Sequence, residues 1–405
     1  MRIIAAQDKY KITLLVMWMT TLSQAAIALY LPAFPAISHA LHISPVAIKN
    51  SIAIFLIGFG FSQIIYGPLS DRFGRKPILL LGIFIFCIGC VVNIFSHTQN
   101  VFLFARLLQG IGCGSLLTNG RSILRDCFSG RELASAASYA SMGFAIGFGV
   151  SPIIGAYLSE YFGWRADFVF LLFLGTSLFL ILWRLLPETS SKSERNVSSK
   201  IFFQKTLSDY KVIIKNRIFM QFLLGGLFAY VVVVAYNVMT PFLIQNVLGF
   251  SPSEYGWLAI LVAIPYYTAA SMNKKLVIKF GTEPIFALGA LLIILSGIAM
   301  ALTMIDHKIL LIYIIIPMML ATFGQALIFS NSIAMALHNF SATTAGKASA
   351  LFSSLQILLT GIFSAFMAIL PDTTQLPLAV VVMTLGLLSG IVLWRQINAA
   401  ASSGH

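Results

Sequence analysis

The chain has 405 residues, of which 59% are apolar and only 10% charged, against the ~25% charged of a soluble domain; a water-soluble fold is excluded. Its formal net charge of +13 would suit a nucleic-acid partner only if the bases were gathered on one face. Here they fall between apolar runs, so no nucleic-acid partner is expected and the charge is assigned to membrane topology.

Polar, Pro- and Gly-containing breaks divide the chain into twelve candidate spans, at 11–33, 46–66, 77–95, 100–122, 134–158, 165–186, 218–245, 254–273, 284–304, 309–337, 346–370 and 376–396. Most are close to the ~20 helical residues that cross a bilayer. The first run, Ile12 to Ala33, is too long for a signal-peptide core and is expected to remain as a helix. Between the second and third spans lies the densest charge cluster, Gly67-Pro68-Leu69-Ser70-Asp71-Arg72-Phe73-Gly74-Arg75-Lys76-Pro77, which is expected to form a short interfacial turn. Cys87 and Cys90 in the third span have no His or Cys ligands nearby, so buried thiols and no metal site are expected.

Arg106 stands well inside the fourth span, where a charge costs at least ~2.5 kcal/mol on insertion scales. It should face the bundle interior and have a partner. One candidate is the Ala28 carbonyl, because Pro32 has no N–H to offer it. In the fifth span Gly143, Gly147, Ser151 and Gly155 recur every four residues beside Pro152, a flat face that lets another helix approach closely. The stretch 187–217 is polar and rich in Ser, Lys and Glu. It is read as a cytoplasmic linker, with an amphipathic helix over 202–214, between bundles at 1–186 and 218–405.

An internal repeat supports that division. Phe73-Gly74-x-x-Pro77-Ile78-x-x-Leu81-Gly82 recurs as Phe280-Gly281-x-x-Pro284-Ile285-x-x-Leu288-Gly289, and Gly112 with Asn119 recurs as Gly324 with Asn331, at offsets of 207 and 212 residues. The second copy lacks the acid, with Ile278 where the first has Asp71. Bases crowd the segments on one side (Arg72, Arg75, Lys76, Arg121, Arg125, Arg131, the run from Arg184 to Arg217, Lys274, Lys275 and Lys279), while the other side holds Lys49, Arg165 and Lys308. The positive-inside rule then places both termini in the cytoplasm.

The motif Gly-x-Leu-x-Asp-Arg-x-Gly-Arg-Lys over Gly67 to Lys76 resembles the loop between helices 2 and 3 of the major facilitator superfamily. The resemblance implies an all-α integral membrane protein with twelve transmembrane helices in two pseudo-symmetric six-helix bundles. It also implies a conformational latch at Gly67, Asp71, Arg72, Gly74, Arg75 and Lys76 that engages helix 11 in one of two alternating states. Arg106, Gln109 and Gly110 match the family's helix-4 motif, whose Arg is associated with proton transfer. Gly147, Ser151, Pro152 and Gly155 match its helix-5 antiporter motif, with Ser151 and Ala156 replacing glycines. Arg125-Asp126-x-Phe128-Ser129-Gly130-Arg131-Glu132, Phe162-Gly163-Trp164-Arg165 and Tyr30-Leu31-Pro32 resemble the Bcr/CflA group of bacterial drug:proton antiporters. That resemblance implies a multi-pass protein of the bacterial inner membrane, usually a monomer, exporting drug-like molecules.

One departure affects coupling. That group carries an Asp two residues before Tyr-Leu-Pro, and here the position is Ala28. Every acid, including Asp167, Glu194 and Asp306, falls in a loop or at a span end, so no mid-membrane carboxylate is expected. Whether protons are coupled stays open; no cofactor is expected. Lipophilic cations are disfavoured relative to neutral, zwitterionic or anionic substrates, for which Arg106 is a candidate counter-ion. Candidate cavity groups are Gln24, Ala28, Tyr30, Tyr230, Tyr236, Asn237, Tyr266, Gln325, Asn331 and Gln356, with the seventh helix expected to break between Tyr236-Asn237 and Pro241. The leading reading is a secondary transporter that moves a small organic molecule by alternating access. The alternatives are a carrier for an anionic metabolite such as a carboxylate siderophore, and a transporter-like ligand sensor. The histidines are scattered and unpartnered, so an enzyme is not expected.

Overall fold

A computed structural model describes residues 6–190, 199–304, 309–338 and 340–403. Glu194, Asp306 and Lys308 therefore lie outside the described residues, as does the middle of the linker. The described residues are almost entirely helical: α1 Ala6–Ala28, α2 Phe34–Leu41, α3 Pro45–Phe73, α4 Arg75–Ile94, α5 Gln99–Cys127, α6 Gly130–Gly149, α7 Ser151–Phe162, α8 Arg165–Leu185, α9 Ser199–Lys215, α10 Arg217–Phe242, α11 Pro252–Phe280, α12 Thr282–Leu302, α13 Leu311–Leu337, α14 Ala342–Ile369 and α15 Leu376–Ser403. Twelve stretches are long and apolar enough to cross a membrane, the first combining α1 with α2 and the fifth combining α6 with α7.

Helix starts follow local chemistry. Ser44 accepts from the Ala47 N–H and Asn216 from the Phe219 N–H, while Ser251 and Glu254 form a reciprocal capping box with Pro252 at the first helical position. α3 and α4 are separated by one residue, Gly74, at φ 106°, and the repeat-equivalent Gly281 separates α11 from α12 at φ 88°. Both lie in the positive-φ region that glycine enters without a Cβ clash. The charged motif is thus not the expected interfacial turn. It is helical through Phe73, because α3 extends well past the apolar run that ended the sequence-based span at residue 66.

The chain divides into two compact units between Leu207 and Ser208, inside the stretch read as the linker. In the first, α5 packs against α3 and α4, α1 against α6, and α4 against α8. In the second, α13 packs against α11 and α12, α10 against α14, and α12 against α15. This is the same pairing scheme applied to the corresponding helices. The repeated glycines mark a close crossing common to both units. A Cβ on Gly112 would lie 2.6 Å from the Gly82 carbonyl oxygen, and one on Gly324 would lie 2.5 Å from the Gly289 carbonyl oxygen.

Two spans break and one does not. The regular helix of the first span ends at Ala28, followed by a turn and the 3-10 piece Leu31–Ala33. The fifth breaks at Val150, two residues before Pro152, whose ring would clash with the carbonyl four residues back in a continuous helix. The expected break near Pro241 is absent. α10 runs through the proline to Phe242, and a π-helical turn, Leu243–Val247, follows. Such a turn accommodates the displaced backbone without ending the helix.

Candidate functional site

The core of the first unit is organised around Arg106, which is 0% exposed. Its guanidinium lies over the Tyr30 ring at 4.0 Å and the Phe55 ring at 4.5 Å from the centroids. Its Nη2 donates to the Ala26 carbonyl at 3.0 Å and its Nη1 to Gln109 Oε1. Gln109 Oε1 also accepts from Asn93 Nδ2 at 3.2 Å, and its amide nitrogen reaches Cys90 Sγ at 3.1 Å. No carboxylate takes part; two aromatic faces and two oxygen acceptors hold the cation. The carbonyl used is Ala26's rather than the expected Ala28's, because α1 ends before Pro32 comes into play.

With both Nη groups bonded and rings against the guanidinium, Arg106 ties α1, α3 and α5 together, while its buried Nε has no hydrogen-bond partner. Tyr30 is likewise part of the scaffold, its hydroxyl sharing a 2.8 Å hydrogen bond with Ser51 and its ring committed to Arg106. Gly110 completes the cluster, since a Cβ there would meet the Phe55 carbonyl oxygen at 2.1 Å and force α5 off α3.

The glycine stripe of α6 and α7 packs on the first helix. A Cβ at Gly143, Gly147 or Gly155 would lie 2.3, 2.4 or 1.7 Å from the carbonyl oxygens of Met17, Thr21 and Leu29 in turn. Ser151, which replaces a motif glycine, turns its hydroxyl back to the Gly147 carbonyl. Its polar atom is thereby satisfied across the break at Val150, by the last turn of α6.

At the charged motif, Arg75 gathers the partners. Its guanidinium bonds Asp71, donates to Ser70 Oγ at 2.8 Å, and pairs through Nε with Asp126 at 3.0 Å, joining the end of α3 to the end of α5. The backbone N–H groups of Arg75 and Lys76 donate to the Glu188 carboxylate at 2.9 and 3.3 Å, so the first linker residues cap α4. Lys76 Nζ donates to the Trp183 carbonyl at 2.7 Å, and Arg72 lies over Phe73. Gly67 lies within α3, its carbonyl accepting from Ser70 Oγ at 3.0 Å. Asp126 was not singled out as a latch residue; the only signal was its place in the Arg125-Asp126 motif.

Asp126→Asn is expected to loosen this junction. A charge-assisted hydrogen bond is worth ~1.5–3 kcal/mol when buried, but Asp126 is partly exposed, so about 1 kcal/mol is expected after screening. That corresponds to a fall of ~2–4 °C in Tm, read by scanning fluorimetry in detergent. An unchanged Tm would show that the pair contributes nothing.

In the second unit the expected groups separate into two kinds. Asn331 is paired with Asn273 through reciprocal amide contacts of 3.0 and 3.4 Å, Tyr230 packs on the Phe329 ring, and Tyr266 packs against Tyr267. The Asn331 and Tyr230 contacts tie α13 to α11 and α10, whereas Tyr266 and Tyr267 are neighbours on α11. By contrast Tyr236 Oη, Asn237 Nδ2, Gln325 Oε1 and Gln356 Nε2 are buried without a hydrogen-bond partner, as is Gln24 Oε1 in the first unit. Their residues fall in the middle stretches of α10, α13 and α14, helices whose charged side chains, Arg217 and Lys347, stand at the ends. Among the described residues no group of His, Cys, Asp or Glu could hold a metal ion, and all four cysteines are free thiols.

Twelve membrane-length helices in two similarly wired units, with a charged helix-end junction and uncharged polar atoms sealed in the apolar interior, define a polytopic membrane carrier. The Major Facilitator Superfamily profile matches residues 16–363 and 222–404. The chain belongs to that superfamily and is a secondary transporter. It is similar to the multidrug resistance protein D of Escherichia coli K12, with 27% identity covering 94% of either chain, and to the bicyclomycin resistance protein homolog of Haemophilus influenzae, with 27% identity covering 86% of this chain and 87% of the relative. Among solved structures, a D-xylose-proton symporter superposes with a TM-score of 0.76 over 95% of this chain and 97% of its own, at 16% identity.

Proposed function

We propose that the chain exports drug-like, uncharged polar molecules across the bacterial inner membrane, as a monomer with both termini in the cytoplasm. The observation that carries this reading is the near full-length similarity to resistance proteins named for multiple drugs and for bicyclomycin. The unpartnered amide and hydroxyl groups of Tyr236, Asn237, Gln325 and Gln356 support it. They offer donors and acceptors with no fixed charge, and a buried polar group left unpaired is costly unless something pairs with it. Asp71, Arg72 and Arg75 act as the conformational latch. A siderophore-type anion is the weaker reading, because the buried Arg106 guanidinium already has two oxygen acceptors and two aromatic rings against it.

The test is expression in a strain stripped of its own exporters, followed by counterflow of labelled bicyclomycin in proteoliposomes. Raised resistance together with counterflow is expected. Binding without counterflow would make the protein a ligand sensor, and neither effect with any of a panel of neutral antibiotics would refute drug export.

A further inference from the structure

In the proposed topology Asp167 sits in the first turn of α8, at the outer end of the first unit. Its side chain is 0% exposed, and neither carboxylate oxygen has a hydrogen-bond partner. Sealing an ionised carboxylate without a partner costs several kcal/mol, and a position at a helix N-terminus returns only ~0.3–1 kcal/mol, at most ~2. In this packing the acid is therefore held uncharged.

α8 packs against α4, α1 and α7. The charged and titratable groups at this end of the first unit are Tyr30 just beyond α1, His39 and His42 at the end of α2, the buried Lys49 on α3, Tyr157, Glu160 and Tyr161 on α7, His97 in the connector after α4, and Arg165 on α8 itself. α4 brings none to this end, its charges, Arg75 and Lys76, being at the other. Arg165 is spent elsewhere. Its Nε and Nη2 donate to the Ile94 and Ser96 carbonyls at 2.9 and 3.0 Å, and it lies over the Trp164 ring at 4.2 Å. Glu160, His97, Tyr157 and Tyr161 are exposed. Behind Tyr30 is Arg106, occupied as described.

The neighbouring residue links this acid to the break in the first span. Phe168 packs on Tyr30 and Phe102, each at 5.8 Å between centroids, and on Trp164 at 6.0 Å. Tyr30 lies in the turn that follows the end of α1 at Ala28, where a short 3-10 piece then joins α1 to α2. A segment joined in this way can shift without breaking a continuous ladder of hydrogen bonds.

We infer that Asp167 is a proton-binding residue of the transport cycle. The O–H bond of its carboxyl forms, with a proton from the outer aqueous phase, as the packing around Tyr30 closes. It breaks, returning that proton to water, when the packing opens and hydrates the carboxylate. The inference rests on the reading of the chain as a transporter and supplies the titrating acid that Ala28 fails to provide. By linkage, acid outside favours the closed packing.

Two measurements on the full chain test it. Trp164 reports on the site directly, so a variant with Trp18, Trp183, Trp257 and Trp394 replaced by Phe is titrated by fluorescence, with and without Asp167→Asn. Asparagine matches the protonated acid in shape and charge, so it preserves the buried packing. The protein that keeps Asp167 should show a one-proton transition and the Asp167→Asn variant none, while His97→Gln and Glu160→Gln leave the transition in place. Where the multiple Trp replacement unfolds the protein, counterflow exchange at matched pH on both sides decides. The wild-type rate should change by up to ~10-fold per pH unit on one limb, and Asp167→Asn should flatten the profile while exchange persists. A pH profile or Trp164 titration unaltered by Asp167→Asn, or one abolished by either control, overturns the inference. A wild-type protein that exchanges no compound yet retains the Asp167-dependent Trp164 titration would refute transport and leave proton binding standing.

Discussion

Arg106→Lys is expected to cut counterflow at least tenfold and to lower the melting temperature, despite keeping the positive charge. The arginine fork reaches two acceptors on different helices, the Ala26 carbonyl and Gln109 Oε1, while its planar face lies against Tyr30 and Phe55. A lysine ammonium is a compact, strongly hydrated point charge that cannot span both acceptors and stack as well. Losing one charge-assisted hydrogen bond costs ~1.5–3 kcal/mol and losing a desolvated cation–π contact about 2 kcal/mol. Arg106→Met separates charge from fit: exchanging a buried ion for a well-packed apolar side chain is often close to neutral for stability, so it should melt no lower than the lysine variant while still failing to hold the end of α1. Scanning fluorimetry and counterflow on the three proteins decide the matter. A lysine variant with wild-type melting and transport would show that the fork is irrelevant.

Gly155→Ala is expected to be the most damaging single-methyl addition in the first unit. The added carbon would sit 1.7 Å from the Leu29 carbonyl oxygen, a backbone atom that no side-chain rotation can clear. α7 must therefore move away from the break in the first span, disturbing Tyr30 and through it Arg106. Overpacking of this kind costs ~1–3 kcal/mol, occasionally more. Gly120→Ala provides the contrast, because its nearest neighbours are the Met19 and Val16 side chains at 3.4 Å. It should leave yield and melting close to wild type. Equal behaviour of the two variants in detergent melting and purified yield would mean that the contact with the Leu29 carbonyl is not as tight as drawn.

Much of this architecture is legible in the residues, because long apolar runs and punctuating glycines are strong one-dimensional signals. The twelve spans, the amphipathic helix of the linker and the buried thiol of Cys90 follow from patterning, whereas Cys87, expected to be buried with it, is half-buried. Arg106 advertises itself through the cost of burying a base. Its partner is harder to name, since choosing Ala26 over Ala28 depends on where a helix ends to within two residues. Pro241 and Pro152 look alike in sequence; one is absorbed before a π turn and the other accompanies a break, an outcome decided by the packing around each. Asp167 stands near a span end, where acids are ordinarily wetted, and only the ring cluster of Phe102, Trp164 and Phe168 makes its burial visible. The distinction between Asn331, paired with Asn273, and Gln325, left unpaired, also requires knowing which face of α13 meets α11.

The matched crossings at Gly82 with Gly112 and at Gly289 with Gly324 bear on the chain's ancestry. A six-helix precursor, doubled and fused, would leave such a record: the places where main chains touch tolerate no drift, whereas an ionic group at a helix end can disappear from one copy once the other performs its task. The exchange of Asp71 for Ile278 marks where the descendants parted: the carboxylate that pairs with Arg75 in the leading half has an apolar side chain in its place in the trailing half.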